Sequence, residues 1–218
     1  TVSATDLKDG TVYALDADGR TTDTAVYSGT NQAGWRIDST DYADNGNVTR
    51  TLSAANRDRA LNPGSYPELD DLGLASATGP VIADALSTRS YYSGDGVDVT
   101  DVYGPAHTVV LPDGTQAPAR AHDHTDYGAT NYPTVNPGSW TAGAPLHAAT
   151  KSTQSATLTL SAVALNETDT TETRYAYGLS STDHLGWDLR QPESTTVENG
   201  TTDITTVTRY DTDGNVIE

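Results

Sequence analysis

Residues 11–27 read Thr11-Val12-Tyr13-Ala14-Leu15-Asp16-Ala17-Asp18-Gly19-Arg20-Thr21-Thr22-Asp23-Thr24-Ala25-Val26-Tyr27, two β-prone segments on either side of an Asp-Gly turn. Asp-Gly between such runs is a strong hairpin signal, because Gly19 takes a positive φ without strain. The device recurs. Thr40-Asp41-Tyr42-Ala43-Asp44-Asn45-Gly46-Asn47-Val48-Thr49 places Tyr42 ahead of an Asn-Gly turn, and Thr208-Arg209-Tyr210-Asp211-Thr212-Asp213-Gly214-Asn215-Val216-Ile217 repeats it almost residue for residue. A weaker copy is Tyr91-Tyr92-Ser93-Gly94-Asp95-Gly96-Val97. In each clear copy a Tyr precedes the turn and a Val or Thr follows it. An aromatic is therefore expected beside a β-branched residue on its hairpin partner, a pair worth roughly 0.2–1 kcal/mol. One hairpin alone is marginal, so the units must stack.

Composition points the same way. The chain has 218 residues, 19 Gly, 10 Pro, abundant Thr and a net charge of −18 from 30 acids against 12 Lys and Arg. Asp far outnumbers Glu, a turn-former's bias. Only 35% of residues are hydrophobic, and Phe, Met and Cys are absent, so the core must come from Val, Leu, Ala, 12 Tyr and 3 Trp. The reading is an all-β chain of stacked antiparallel hairpins, one β domain over residues 1–218.

Such acidity repels phosphate, which argues against nucleic acid and anionic membranes as partners. Without Cys there are no disulfides, thiolate zinc sites or cysteine nucleophiles. The longest apolar runs, such as Val109-Val110-Leu111, fall far short of the roughly 20 residues of a membrane-spanning helix. The opening Thr-Val-Ser-Ala-Thr-Asp has neither an initiator Met nor a charged-then-apolar leader, so an internal or processed piece of a longer chain is expected.

Between the hairpins lies an insertion from about Ser53 to Ser87. Ala54 to Leu61 carries helix formers and ends at Asn62-Pro63-Gly64, and Pro67-Glu68-Leu69-Asp70-Asp71-Leu72 opens a second short helix. Residues from about Tyr127 to Ala149 read as loop. Thr157-Leu158-Thr159-Leu160-Ser161-Ala162-Val163-Ala164-Leu165 is the cleanest alternating strand.

The run His122-Asp123-His124-Thr125-Asp126 is the most suggestive chemically. On a strand His122, His124 and Asp126 share a face and could hold zinc with one position open. Tyr127 stands where His-x-His-x-Asp hydrolases continue with a further His, and the preferred reading is a solvated polar face with Tyr127 in the core. Asp16-x-Asp18-Gly19 and Asp211-x-Asp213-Gly214 resemble fragments of calcium loops. Neither completes the pattern, and hairpin turns with solvated aspartates are preferred, with weakly bound calcium as the one cofactor to consider. Trp35, Trp140 and Trp187 could stack sugars, although a packing role is favoured. No nucleophile elbow or phosphate-cradling loop occurs.

The Tyr-Asp-x-x-Gly-Arg/Asn pattern resembles the YD repeat of Rhs proteins, teneurins and the C components of Tc toxins. Tyr210 to Val216 matches in full, Tyr13 to Arg20 matches with Leu15 at the second Tyr, and Tyr42 to Asn47 matches with Ala43 in place of Asp. Tyr175-Ala176-Tyr177 keeps only the opening. Arg50 to Arg57, Tyr103 to Thr108 and Leu185 to Pro192 also resemble large secreted Rhs-type proteins of actinobacteria. The resemblance implies a segment of a β shell or solenoid that encloses or presents a C-terminal effector, secreted or at the cell surface, with no catalytic residue. Its repeat turn and core positions are Tyr13, Asp16, Gly19, Tyr42, Gly46, Tyr92, Gly96, Tyr175, Tyr177, Tyr210, Asp211 and Gly214. Its partners would be the rest of its own polypeptide or neighbouring chains through strand edges, together with an effector domain. A secreted adhesion module for glycan or calcium is the alternative, and a metal-dependent hydrolase is a third.

Overall fold

A computed structural model describes residues 10–27, 34–127, 147–177, 191–198, 202–211 and 213–217. Among them the chain is antiparallel β-sheet with short helices confined to the insertion, as the composition predicts. It forms two compact units. The first comprises the described residues of Thr1–Tyr91, Val102–Ala121 and Thr157–Asn166, and the second those of Tyr92–Asp101, His122–Ala156 and Glu167–Glu218.

In the first unit β1 (Thr11–Leu15), β2 (Thr21–Tyr27), β3 (Trp35–Tyr42), β4 (Val48–Leu52) and β5 (Thr88–Tyr92) are neighbours in chain order. The expected cross-strand pairs form, with Tyr13 opposite Thr24 and Tyr42 opposite Val48. The turns are three-residue connections. Asp16 N–H donates to Arg20 O at 2.9 Å and Gly19 N–H to Asp16 O at 3.1 Å, and Ala43, Gly46 and Asn47 repeat both bonds. Gly19 and Gly46 sit at φ 80° and 89°, and the register slips by one residue beside each turn, between Ala14 and Leu15 and between Asp41 and Tyr42. The left-handed Gly closes each turn, and the slip is a separate one-residue bulge at Thr22 and at Thr49. Tyr13 departs from expectation: it is 62% exposed on β1 and is not a core residue. The sheet's rings pack elsewhere, with Tyr27 buried against Trp35 at a centroid distance of 5.1 Å.

Arg20 links one hairpin to the next. Its guanidinium grips its own turn, Nε on Asp16 at 2.6 Å and Nη2 on Asp18 at 2.9 Å. Nη1 also donates to the Ala43 carbonyl of the following turn at 3.0 Å, and the group lies over the Tyr42 ring at 5.1 Å.

The core of this unit sits in the insertion. Helix α1 (Ala54–Leu61) starts at Ser53, whose hydroxyl accepts the Asn56 N–H at 3.3 Å, and stops at Asn62 ahead of Pro63. Helix α2 (Glu68–Asp71) follows as expected. A third helix, α3 (Gly79–Ala85), adds to the two that the sequence indicated; it starts on Thr78 with Pro80 in its first turn. Ala60, Leu69, Leu72, Leu74, Ile82 and Leu86 are buried together. Helices of four to eight residues are not stable alone, so this shared apolar cluster holds them.

Strands β6 (Val99–Tyr103), β7 (His107–Val110) and β8 (Gln116–Tyr127) follow, with β7 paired to the start of β8. The β7–β8 turn, Leu111 to Thr115, is a further copy of the same device, with Gly114 at φ 84°. Arg120, fully buried on β8, donates to Gly104 O at 2.7 Å and Leu160 O at 3.1 Å.

The alternating run 157–165 is not a strand. Strand β9 (Ala149–Thr157) ends where that run begins, and the Thr157 hydroxyl accepts the Leu165 N–H at 3.0 Å while meeting the Val163 and Leu165 carbonyls. The segment closes on itself and turns Leu160 onto the helical cluster. Leu158 and Leu160 are both half-buried, and residues 158–165 form no strand.

In the second unit β9, β10 (Glu167–Ala176), β11 (Ser194–Val197) and β12 (Ile204–Val207) are again neighbours in chain order. Three motif tyrosines make one recurrent bond. Each stands at the end of a strand or within three residues past it, and donates its hydroxyl to a carbonyl at the start of the preceding strand or within two residues before it. Tyr42 reaches Thr21 O at 3.0 Å in the first unit, and in the second Tyr177 reaches Ala149 O at 2.8 Å and Tyr210 reaches Pro192 O at 3.2 Å. Tyr210 also faces Val216 across its turn, as expected, where Gly214 lies at φ 84°.

Candidate metal centre

Strand β8 carries His122, His124 and Asp126 at every second position, so the pleat turns them to one face. His122 is 4% exposed, His124 and Asp126 are half-buried, and Asp123 on the opposite face is exposed. The three do not converge as a trio. The carboxylate between the two imidazoles is Asp101, from β6: its Oδ1 lies 3.1 Å from His122 Nε2 and 2.7 Å from His124 Nδ1. Asp101, His122 and His124 each offer a ligand atom, and all of these atoms lie within 4.8 Å of one another. Asp126 stands behind, against His124 Nε2 at 3.1 Å, and Glu167 at the start of β10 bonds His122 Nδ1.

The network continues outward. Lys151 bridges Asp126 at 3.0 Å and Glu172 at 3.6 Å. Burial works against the His124 cation, but bonds to Asp101 and Asp126 outweigh it and raise the His124 pKa above its ordinary value. For Asp101 burial pushes the pKa upward, and the two imidazoles with Thr100 overcome it and hold the carboxyl below the usual aspartate range. His124, Asp126, Tyr127, Asp98 and His147 line a cavity of about 370 Å³. Tyr127 is therefore a half-buried cavity wall and not the core residue expected of it.

The turn aspartates are engaged within their turns. Asp16 Oδ1 accepts the N–H groups of Asp18 and Arg20 at 3.0 and 2.9 Å, and its Oδ2 meets Arg20. Asp211 Oδ1 accepts from Asp213 and Asn215 at 2.9 and 2.8 Å, and its Oδ2 from the Asn215 amide at 3.0 Å. Tyr92 is half-buried ahead of Gly96, at φ 76°, and the Tyr175 hydroxyl meets Ser152 Oγ at 3.3 Å. His107 is exposed, and His147 pairs with Asp98 at 2.8 Å. His184, Trp140 and Trp187 lie outside the described residues.

A second cavity of about 630 Å³, in the first unit, gathers Arg50, Arg57 and Arg89. Each is paired with its own acid, Asp41 at 3.0 Å, Asp23 at 3.4 Å and Asp84 respectively, so the charges cancel locally. Sequence reading missed Asp101 and Glu167. Neither carries a local signal, because each reaches the imidazoles only through strand pairing. No protein-family model and no curated protein matches the chain.

Proposed function

We propose that this chain is an architectural hairpin-repeat segment of an Rhs-type, YD-repeat protein, secreted or displayed at the cell surface, and that it forms part of a β wall around an effector. The observation that carries this reading is the tyrosine bond made by Tyr42, Tyr177 and Tyr210, each tying its strand to the strand before it. Arg20 adds a turn-to-turn tie of the same kind. Together they give the motif residues Tyr, Asp, Gly and Arg separate structural duties: hydroxyl donor, turn acceptor, left-handed corner and link to the next hairpin.

A calcium-dependent adhesion module draws less support, because Asp16 and Asp211, two of the four aspartates it would use, already accept hydrogen bonds inside their turns. Limited proteolysis of the whole gene product that carries these residues tests the architectural role. An effector segment that resists protease, and becomes cleavable when Tyr42 and Tyr210 are both changed to Phe, supports containment. An effector cut equally fast before and after the change removes it.

A further inference from the structure

We propose that Asp101, His122 and His124 bind one divalent transition ion of the zinc class, with Glu167 and Asp126 orienting the two imidazoles. The site is independent of the architectural reading, and it lies wholly within the second unit.

Convergence is the first argument. Both nitrogens of both rings face carboxylate oxygens: His122 between Glu167 and Asp101, His124 between Asp126 and Asp101. The three inner atoms belong to Asp101, His122 and His124 and lie within 4.8 Å of one another, and His122 is 4% exposed.

Geometry is the second. A tetrahedral zinc ion with bonds of about 2.0–2.2 Å holds its ligand atoms roughly 3.3–3.5 Å apart. The carboxylate oxygen lies 3.1 and 2.7 Å from the two inner nitrogens, so small side-chain rotations open the space required. The outer shell is also in place. Metal-bound histidines commonly donate their other N–H to a carboxylate, which fixes the tautomer and raises ligand basicity. Glu167 and Asp126 stand at those two positions, and they select Nε2 of His122 and Nδ1 of His124 as ligands.

The donor set names the ion class. Two imidazoles and one carboxylate suit zinc, iron, cobalt or nickel, whereas calcium and magnesium take shells of oxygen. Three protein ligands leave one position for water or an external donor. His124 lines the 370 Å³ cavity, which supplies a route in. Because the ligands come from β6 and β8 and one orienting carboxylate from β10, the bound ion would clamp three strands of the unit.

The protein is stripped with chelator and titrated with zinc chloride by calorimetry, with thermal unfolding followed in parallel. One zinc per chain and a melting temperature raised by several degrees are expected. His124→Ala should abolish the binding, and Glu167→Gln should weaken it about ten- to hundredfold at unchanged stoichiometry. X-ray absorption on the wild-type zinc complex keeps the idea testable if His124→Ala does not fold. Two imidazole nitrogens at the metal support the site, and an all-oxygen shell overturns it. Failure of the wild type to bind, equal stabilisation by calcium, or undiminished binding by folded His124→Ala also overturns it.

Discussion

The Tyr177 hydroxyl donates to the Ala149 carbonyl at 2.8 Å, joining the end of β10 to the start of β9. Tyr177 is buried, and burial, helped by Tyr175, raises its phenol pKa, so the donor proton stays in place at neutral pH. Tyr42 and Tyr210 do the same for their own strands. Phe fills the same space and leaves the carbonyl without its partner. We expect Tyr177→Phe to lower stability by about 1 kcal/mol, a typical net value for one hydrogen bond. Urea unfolding measures the loss, and an unchanged midpoint would show the bond to be idle. The same logic bears on the absence of Phe from the chain, since Tyr66 and Tyr91 also spend their hydroxyls on partners, Asp58 and the Ala162 carbonyl.

Arg120 is fully buried, and its guanidinium meets only carbonyls: Gly104, Leu160, Asp84 and Ser87. It ties the end of α3 and the segment after β9 to β8. Removing it strands several buried acceptors at once. Arg120→Met should destabilise the protein by about 3 kcal/mol or more, and Arg120→Lys should recover little, because a point charge cannot span four carbonyls. Denaturant melts of the two variants, compared with the wild type, decide the matter. Full recovery by Lys would contradict the geometry.

Gly79 opens α3 against α1, and a Cβ there would stand 2.8 Å from the Ala60 carbonyl oxygen. Backbone cannot swing aside as a side chain can. Gly79→Ala should therefore cost about 1–3 kcal/mol through overpacking. Gly64, where a Cβ would meet nothing within 4 Å and φ is not positive, is the control and should tolerate Ala. Differential scanning calorimetry on both variants separates a helix-packing effect from a general loss of glycine.

The turn carboxylates set the acid limb of stability. Asp16 is held below the ordinary aspartate value chiefly by the Arg20 backbone N–H, Asp113 by the Thr115 hydroxyl, and Asp211 by the Asn215 side chain. A carboxylate depressed in the fold adds stability that is present above its unfolded value of about 3.9 and is lost as pH falls through the lower folded value. The melting temperature should thus decline below about pH 4, and less steeply in the Asp211→Asn variant. Asp113 is exposed and Asp16 and Asp211 are half-buried at turns, so solvent screening keeps the individual effects small. A variant curve parallel to the wild type from pH 5 to pH 2.5 would rule the mechanism out.

Much of the fold was legible because its signals are short. Asp16-x-Asp18-Gly19 closes its turn with bonds that span five residues, and Ser53 and Asn62-Pro63 start and stop α1 within a turn of themselves. The Leu111–Thr115 turn carries the same Asp-Gly signal and was overlooked beside an apolar run. Residues 157–165 misled for a different reason: their alternation suits a strand, but the Thr157 hydroxyl and the Arg120 guanidinium take the carbonyls that a neighbouring strand would have used.

The sequence by itself determined that this is a hairpin protein, where the turns at Gly19, Gly46, Gly96 and Gly214 fall, and that His122 and His124 share a strand face. Those features depend on backbone φ, on side chains bonding to nearby backbone and on the two-residue period of the pleat. Only the tertiary structure decided which carboxylates meet the imidazoles. Asp101 lies 21 residues before His122 in the chain and Glu167 45 residues after it, and strand pairing, a long-range choice with no local signature, brings both to the same ring.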